Sequence, residues 1–346
     1  MNKSIKKKVI SLALVGMLLS ILALGLYVCY VVMFDNTNKT PTSMYLFIKS
    51  GNTYEDVLAQ LEKNKILKQP KLFHQVAQKM NYPNTIKPGR YRISQPSSNF
   101  DIISMLRSGK QEPVNLMIKS NIRTPAELVR LITRHLEVDS TEAITKLNDS
   151  SYLATLGYNV QNCLSIFIPN TYELYWNTSF DNLMLRMIKE NEKFWQPRLG
   201  KLNEVGLTKQ QIITLASIVE EETKIKTDKE LVAGVYINRL RQDMRLQADP
   251  TVKYAVGDFS IKRVLFKHLD VESPYNTYKI KGLPPGPICI PTIESIDAVL
   301  NYKRHNYIFF CAKEDFSGYS NFAATLAEHE INRLKFITAM NERGIK

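Results

Sequence analysis

The chain has 346 residues and a formal net charge of +13, which gives it length enough for two domains and a strongly basic balance. A net positive charge can favour binding to nucleic acid, but the sequence carries no nucleic-acid-binding motif. We therefore expect the protein to meet anionic surfaces of another kind. The five histidines are scattered and the four cysteines show neither CxxC nor His/Cys metal spacing, which predicts no metal site and no cofactor. The cysteines beyond the N-terminal segment are Cys163, Cys289 and Cys311, and they allow one disulfide bond between two of them.

The N-terminal segment predicts a single-pass anchor in the plasma (inner) membrane. Four lysines lie within residues 1–8, and the next 26 residues, 9–34, carry no charge. As a helix rising about 1.5 Å per residue they would extend about 39 Å, enough to cross a hydrocarbon core of about 30 Å. A cleavable signal peptide is the alternative, but its apolar region is about 7 to 15 residues long and precedes a clear cleavage site, which this span lacks. The positive-inside rule keeps residues 1–8 in the cytoplasm and places the rest outside.

Beyond the span, residues 35–42 read as a polar linker and residues 43–111 as a small α/β module. The patterns predict the order strand, helix, helix, strand and helix, with the second helix following Pro70. Ser98 and Asp101 are spaced to cap the third helix, and Gly109 is placed to end it. From residue 112 to residue 346 we predict a larger mixed domain, so the fold class is α+β.

A carboxylate lies on the apolar side of a predicted helix that begins near residue 208. Thr208 and Gln211 have the spacing of a capping box, and apolar residues then recur with helical period. A projection at about 100° per residue places Glu222 beside Ile218 and Val219. Burial raises the pKa of a carboxyl group, which is what a general acid near neutral pH requires. Glu222 is therefore the predicted catalytic acid.

The alternative is a solvated acidic triplet at a helix end, since runs of like charge usually face water. Three acidic residues are unfavourable near the negative end of a helix dipole, which argues for another role. Glu221 projects to the opposite side, and Glu220, on the other border of the stripe, is the fallback catalytic residue. A second helix with a capping box from Thr227 to Glu230 is predicted to follow directly.

Polar residues of the second helix and its exit, together with a rigid loop at residues 273–291, are expected to converge near Glu222. The loop reads SPYNTYKIKGLPPGPICIP, in which prolines fix φ and glycines allow the chain to reverse. Aromatic rings and amides on such a loop suit a sugar ligand, although a Pro-Gly turn is also common loop architecture. The polar residues before it are Asn238, Arg239, Arg245, Gln247, Asp249 and Thr251.

The motifs IVEEET, VYINRLRQDMRLQADPTVKYAVG and SPYNTYKIKGLPPGPICIP occur in this order, with FIPNTYEL upstream and NFAATLAEH downstream. Together they resemble the endolytic murein transglycosylases of the MltG, or YceG-like, family over most of the chain beyond residue 43. In that family the catalytic acid is the glutamate before a small hydroxyl residue, on a lysozyme-like catalytic helix, and Glu222-Thr223 matches this pair. The resemblance also implies that residues 43–111 form the LysM-like module found at the front of the family.

The resemblance implies cleavage of peptidoglycan glycan strands at the bond between N-acetylmuramic acid and N-acetylglucosamine. Glu222 would protonate the glycosidic oxygen, and the muramyl 6-hydroxyl would close on C1 to leave a 1,6-anhydro end. Such cuts would terminate the elongation of nascent strands, with peptidoglycan synthases as possible partners. Asn276, Tyr278, Thr223, Asn238 and Gln247 are then expected to contact substrate. Tyr275 or Tyr254 would pack against a sugar face, and Asp249 would pair with Arg239 or Arg245 to brace the site.

The chain departs from the family pattern at Leu164-Ser165, where Glu-Gly is expected, and at Asn170, which replaces Asp. These changes put in question any role of an acidic side chain at that edge of the substrate-binding cleft. Two other readings stay open. One is a catalytically idle scaffold that binds peptidoglycan, and the other is a hydrolase in which Asp249 serves as a second catalytic carboxylate.

Overall fold

The structure is a computed structural model that describes residues 3–38 and 44–344. It is a mixed α+β fold, as the sequence predicts, and it divides into two compact units. The first unit contains the chain up to Asn115 together with Glu173–Thr178. The second contains Leu116–Tyr172 and the chain from Ser179 onward.

The first unit begins with a long apolar helix, α1 (Lys3–Met33). Its segment Lys7–Met33 has a mean hydropathy of 2.6, and the most apolar 18-residue stretch of that segment is not buried, so its length and composition suit a membrane span. The helix is followed by a strand–helix–helix–strand–helix order, which is the order predicted for residues 43–111. The elements are β1 (Met44–Ile48), α2 (Tyr54–Lys63), α3 (Pro70–Lys79), β2 (Gly89–Ile93) and α4 (Asn99–Ser108).

The small module has its own apolar core beneath an antiparallel strand pair. Strand β1 pairs with β2, so that Met44 lies opposite Ile93 and Ile48 opposite Gly89. A capping box formed by Ser98 and Asp101 begins α4, and Gly109 ends it in the left-handed region at φ 74°, as predicted. Inward residues of both strands and all three helices, including Leu46, Leu61, Phe73, Tyr91 and Ile103, are buried together.

The first residues after α1 are held on the module rather than extended as a linker. The Asn36 amide donates to the side-chain oxygen of Asn99 over 2.7 Å, and Asn99 donates to the backbone carbonyl of Val31 over 2.7 Å. Asp35 and Thr37 form isolated bridges to the module. The remaining residues of the predicted linker, 39–42, lie outside the described residues.

The second unit is mainly helical, with short strands at its borders. Strands β3 (Val114–Ile118) and β4 (Asn170–Leu174) form one two-stranded sheet, and each of them has residues in both units. Within the second unit, β5 (Phe309–Ala312) pairs antiparallel with β6 (Ser320–Ala323). The helices are α5 (Pro125–His135), α6 (Ser140–Leu147), α7 (Ser150–Thr155), α8 (Phe180–Trp195), α9 (Leu199–Val205), α10 (Lys209–Glu222), α11 (Lys226–Arg241), α12 (Asp249–Val256), α13 (Phe266–Leu269), α14 (Ile293–Leu300) and α15 (Leu326–Glu342).

Helix α10 lies at the centre of the second unit. Thr208 and Gln211 form the predicted capping box at its start. The projection predicts a single apolar stripe, but every residue from Ile212 to Glu220 is buried, because α11, α12 and α14 surround the helix. Its buried hydroxyls are satisfied locally, since the Ser217 hydroxyl donates to a carbonyl of the preceding turn and accepts from the backbone of Ile288 over 3.0 Å.

Helix α11 follows α10 as predicted, but it begins differently. Its N-cap is Ile225, which makes no side-chain capping bond, and the helix starts at Lys226. The Thr227–Glu230 capping box predicted from spacing is therefore wrong, because both residues already lie within the first turns. The two helices place the end of α10 against the middle of α11, which is where the candidate site lies.

Candidate active site

Glu220 is buried in a network of hydrogen bonds and an ion pair. It is 4% exposed and accepts from the hydroxyls of Thr292 and Ser295, each over 2.5 Å. The buried Lys229 ammonium lies 3.2 Å from the same carboxylate oxygen. Burial alone would raise the pKa of Glu220, but the two hydroxyls and Lys229 outweigh it and hold that pKa below its usual value. A carboxylate so fixed is a poor proton donor near neutral pH.

Glu221 is paired with a cation. The Nη2 atom of Arg123 lies 2.9 Å and 3.0 Å from its two carboxylate oxygens. Both side chains are partly exposed, so the pair lies at the border of the unit. The charge of Glu221 is therefore matched by Arg123.

Glu222 is the member of the triplet that forms no ion pair within the described part of the chain. It lies at the last turn of α10, partly buried, and the hydroxyl of Tyr236 on α11 donates to its Oε1 atom over 2.6 Å. Desolvation by burial raises the pKa of Glu222 to about 7; the Tyr236 hydrogen bond opposes this rise and the nearby charge of Asp249 adds to it. The carboxyl group can therefore carry a proton and lose it close to neutral pH, as a general acid and base must.

Tyr236 is a site residue that the sequence reasoning missed. It is 1% exposed, and its ring meets Phe310 of β5 edge to face at a centroid distance of 5.9 Å. Burial and the neighbouring Glu222 charge hold the pKa of Tyr236 well above its usual range, so its hydroxyl remains a neutral donor. The available signal was its place in VYINRL, on a predicted helix next to the glutamate helix.

Asp249 does not form the ion pair predicted for it. It is exposed at the start of α12, and the Tyr278 hydroxyl donates to its Oδ1 atom over 2.6 Å. Arg239 is buried and donates instead to the backbone carbonyls of Ile308 and Leu246, over 2.7 Å and 2.6 Å. Arg245 is exposed and makes no hydrogen bond or ion pair within the described part of the chain. The predicted bracing by an arginine is wrong, because backbone carbonyls compete for the buried guanidinium.

Asn276 also has a different role from the one predicted. Its side chain is fully buried and its amide nitrogen donates to the carbonyls of Leu269 and Val271, each over 2.9 Å. Its side-chain oxygen accepts from the backbone of Tyr278 over 3.1 Å. With its polar groups used inside the loop, Asn276 fixes the position of Tyr278 rather than contacting a ligand.

Two further residues predicted to contact substrate make hydrogen bonds within the fold, and their contact with substrate stays a prediction. Thr223 ends α10, is largely buried, and its hydroxyl accepts from the backbone of Ile225 over 3.1 Å. The Asn238 amide donates to the carbonyls of His305 and Tyr307, over 2.7 Å and 3.0 Å, and so holds α11 to the segment before β5. Spacing along the chain does not reveal these hydrogen-bonding partners, because they come from other parts of the fold.

Tyr254, Tyr275 and Gln247 keep surface that a ligand can contact. The rings of Tyr254 and Tyr275 lie 4.6 Å apart, and both residues are only partly buried. Gln247 is exposed, with a left-handed backbone at φ 50°, and its N–H donates to the carbonyl of Thr277 over 3.1 Å. A non-glycine residue in this conformation is strained, and such strain is common at functional sites.

A buried pair of threonines holds the two loops of the site together. The hydroxyls of Thr251 and Thr277 lie 2.8 Å apart, and the Thr277 hydroxyl accepts from the backbone of Ala248 over 2.9 Å. Thr277 was missed by the sequence reasoning, although it lies inside the loop motif. The pair fixes Asp249 and Tyr278 near each other and near Glu222.

Two of the departures from the family pattern lie in the short turn Cys163–Ile166, which contacts α10, and the third lies at the start of β4. Leu164 and Ser165 are buried in a short turn, and Asn170 is exposed, with its side-chain oxygen accepting from the following backbone N–H. No cluster of three potential metal ligands occurs among residues 3–38 and 44–344. Within the same ranges Cys29, Cys163, Cys289 and Cys311 are free thiols.

Comparisons with known proteins agree on one family. The model of the YceG-like family matches residues 46–335. A protein named endolytic murein transglycosylase from Bacillus subtilis is 30% identical over 320 residues, which cover 87% of each chain. Another of that name from Streptococcus pneumoniae is 26% identical over 77% of this chain and 53% of its own. The crystal structure of a putative YceG-like protein from Listeria monocytogenes aligns with a TM-score of 0.55 at 27% identity, over 84% of this chain and 99% of that one.

The family model covers most of the chain, and the Bacillus relative is matched along nearly its whole length. The matched residues include the end of α10, the loop of Tyr278 and the segment of Asp249. The chain is therefore a member of the YceG-like family.

Proposed function

We propose that this protein is a membrane-anchored lytic transglycosylase of peptidoglycan, with Glu222 as its catalytic acid and base. Its curated relatives are named endolytic murein transglycosylases, and the match to them runs through the site. The observation that carries the assignment is the contrast within the triplet. Glu220 and Glu221 are held by cations, whereas Glu222 has a pKa of about 7 and a single neutral partner, Tyr236.

The first step is protonation of the leaving group. A neutral Glu222 that accepts the Tyr236 hydrogen bond at Oε1 carries its proton on Oε2. That proton passes to the glycosidic oxygen as the bond from this oxygen to C1 of N-acetylmuramic acid breaks. Glu222 is left as a carboxylate, which the Tyr236 hydroxyl stabilises. N-acetylglucosamine leaves with a free 4-hydroxyl.

The second step uses the same carboxylate as a base. Glu222 removes the proton of the muramyl 6-hydroxyl, whose oxygen forms the new bond to C1 and closes the 1,6-anhydro ring. Because this nucleophile belongs to the substrate, it needs no bound water and has the advantage of an intramolecular reaction. Glu222 ends the cycle protonated, so the step balances and needs no cofactor.

The other site residues position the glycan. Tyr254 and Tyr275 offer ring faces for the apolar side of a sugar, and the exposed Gln247 can hydrogen-bond its hydroxyl or acetamido groups. Tyr278 and Asp249 form a second hydrogen-bonded pair beside Glu222, held in place through Asn276 and Thr277. Negative charge at Asp249 favours the positive charge that develops at C1.

One observation favours a second function. Asp249 is exposed, has no ion-pair partner among the described residues and contributes to the raised pKa of Glu222. Two carboxyl groups at one site are what a retaining or inverting glycosidase uses. Under this alternative, water replaces the 6-hydroxyl and the product is a reducing end.

The family assignment also supports a location and a domain plan. We propose that residues 1–8 lie in the cytoplasm, that residues 9–34 span the plasma membrane, and that the rest lies outside. Residues 43–111 would be a LysM-like module and residues 112–346 the catalytic domain, with α10 as a lysozyme-like catalytic helix. Peptidoglycan glycan strands would be its substrate, and an outward position would let it meet the synthases that make them.

The test is digestion of peptidoglycan in heavy-oxygen water, with mass spectrometry of the products. Wild type should give anhydro-muramyl ends without solvent oxygen. Glu222→Gln should cut at least about 10² times more slowly, since general acid–base catalysis typically contributes about 10² to 10⁴. Glu221→Gln is the matched control, an adjacent glutamate whose loss should leave the products and most of the rate intact.

Two outcomes would contradict the proposal. Labelled reducing ends from wild type that disappear in Asp249→Asn would establish the two-carboxylate hydrolase. An active Glu222→Gln variant would remove Glu222 from the mechanism.

A further inference from the structure

An apolar groove lies where α1 meets α3 and α4 in the first unit. Its volume is about 380 Å³, and it is separate from the catalytic residues described above. Val31 on α1 is 7% exposed at its floor, and Phe100 on α4 is 43% exposed at its edge. The lining residues are Tyr27, Val28, Val31, Val32, Gln75, Val76, Lys79, Met80 and Phe100.

The groove lies at the junction between α1 and the small module, and hydrogen bonds hold this junction together. The Asn99 amide donates to the carbonyl of Val31 inside the last turns of α1, and Asn36 bonds to Asn99 in turn. Buried polar bonds of this kind are costly to break, because each opened group would lack a partner. The module is thereby held to the outer end of the anchor helix.

The length of the anchor places the groove at the membrane surface. A hydrocarbon core needs about 20 helical residues, so within the proposed span 9–34 a core that begins at Val9 ends near Val28, and the later residues of the span lie at headgroup depth. Tyr27 and Tyr30 then lie at the boundary between acyl chains and headgroups, where tyrosine is enriched. Four lining residues belong to this stretch of α1, and the groove therefore opens towards the outer edge of the bilayer.

The groove combines an apolar wall with one basic group. Most of its lining is aliphatic or aromatic, and Lys79, exposed at the end of α3, is the cation among its lining residues. A peptide helix would also present backbone and polar groups to these walls, whereas an acyl chain presents only methylene groups. An ammonium group next to an apolar groove at headgroup depth matches a lipid with an anionic headgroup.

We propose that this groove binds one anionic glycerophospholipid of the outer leaflet, with an acyl chain along α1 and the headgroup phosphate at Lys79. The lipid would fill the space between the anchor and the module and fix the height of the module above the bilayer. This inference rests on the membrane anchor of the proposed function. It does not depend on the chemistry at Glu222.

Native mass spectrometry of the full chain, extracted in mild detergent, can test the proposal. The probes are phosphatidylglycerol and phosphatidylcholine with identical acyl chains, added in equal amount. We expect one phosphatidylglycerol to be retained in preference to phosphatidylcholine. Lys79→Gln should reduce that preference about fivefold, the effect of one basic residue near an anionic surface.

Matched variants on α3 separate the groove from general lipid adhesion. Gln75→Trp would fill the groove and should abolish retention, whereas Gln78→Trp, exposed on the same helix outside the lining, should not. Lys71→Gln removes a charge from the same helix outside the groove and should leave the preference for phosphatidylglycerol unchanged. All four variants should cut soluble glycan fragments at the wild-type rate.

The outcomes distinguish this inference from the proposed function. Retention of both lipids alike, unaffected by Lys79→Gln and Gln75→Trp, would overturn the lipid site while leaving the enzyme untouched. A lipid-free dimer that Gln75→Trp disrupts would assign the groove to a second copy and would also overturn it. Recovery of the chain as a soluble, shortened form would instead remove the membrane anchor on which the inference rests.

Discussion

At the scale of single residues, the three glutamates of α10 show how environment divides one residue type into separate roles. Glu220 is stabilised as an anion by Lys229 and two hydroxyls, and its pKa is lowered. Glu222, two residues later, is desolvated and forms no ion pair with a described residue, and its pKa is raised to about 7. The divergence of pKa values among neighbouring carboxyl groups is a recurring mark of acid–base sites.

The pH dependence of cleavage should move in opposite directions when the two neighbours of Glu222 are changed. The Tyr236 hydrogen bond lowers the pKa of Glu222 and the Asp249 charge raises it. Activity that needs a protonated Glu222 falls as pH rises through that pKa. Tyr236→Phe should thus shift the alkaline limb of kcat to higher pH and lower kcat about tenfold, as expected for a lost bond to a charged group. Asp249→Asn should shift the limb to lower pH.

The measurement is kcat against pH with a soluble glycan fragment. Tyr275→Phe is the control, because its hydroxyl bonds to the Gln161 carbonyl and not to Glu222. If kcat falls at the same alkaline pH in Tyr236→Phe and in wild type, that fall does not report the titration of Glu222.

Glu222 should also make the fold less stable as pH rises. Its folded pKa, about 7, lies above the ordinary value of 4.5, so the stability it contributes is present below pH 4.5 and is lost as pH rises towards 7. Glu222→Gln has no such loss. Between pH 4.5 and pH 8, the free energy of unfolding of this variant should rise by about 1 to 3 kcal/mol relative to that of wild type. This range allows for partial exposure of the Glu222 side chain.

Thermal melts of the full chain in detergent can measure this difference. The Tm advantage of Glu222→Gln should grow by a few degrees between pH 4.5 and pH 8. Glu221→Gln, which loses an ion pair instead, should show no gain. A constant advantage at both pH values would argue against the raised pKa.

At the scale of elements, the loop with Pro285 and Gly286 depends on the close approach of two backbone segments. A Cβ atom at Gly286 would lie 1.9 Å from the carbonyl oxygen of Gln161, so no side chain fits without moving backbone. The same loop reaches α10 through the bond from Ile288 to Ser217. A shift at Gly286 would therefore reach the helix that carries Glu222.

Gly286→Ala should destabilise the second unit by about 1 to 3 kcal/mol or more and reduce cleavage with it. Gly200→Ala is the matched control, because that glycine lies in α9 with no atom within 4 Å of an added Cβ. It should be neutral or stabilising by up to about 1 kcal/mol. Comparison of the Tm values and cleavage rates of the two variants makes the test, and equal stability would show that the loop is looser than described.

At the scale of the whole molecule, the proposed location of the enzyme depends on one apolar helix. A reporter enzyme fused after Lys346 should be active outside the cytoplasm, and the fusion should stay in the membrane fraction. Replacement of the lysines within residues 1–8 by glutamate should weaken this orientation, since cytoplasmic lysine and arginine set it. A soluble mature form lacking residues 1–34 would contradict the anchor and favour a signal peptide.

Structural features that depend on residues close together in the sequence could be predicted from the sequence alone. The apolar span, the capping boxes at Thr208 and Ser98, the αL ending at Gly109 and the place of Glu222 at the end of a buried helix all depend on neighbours within a few positions. These are the interactions that helical period and capping chemistry encode locally. The family motifs fall in the same class.

The partners of the polar side chains were decided by the tertiary structure. Tyr236 meets Glu222 only because α11 turns back along α10, and the buried Arg239 takes backbone carbonyls instead of the Asp249 carboxylate. Asn276 is consumed by its own loop, whose shape no spacing rule predicts. A buried donor bonds to whichever acceptor the fold brings within about 3 Å, and long-range packing alone determines which acceptor that is.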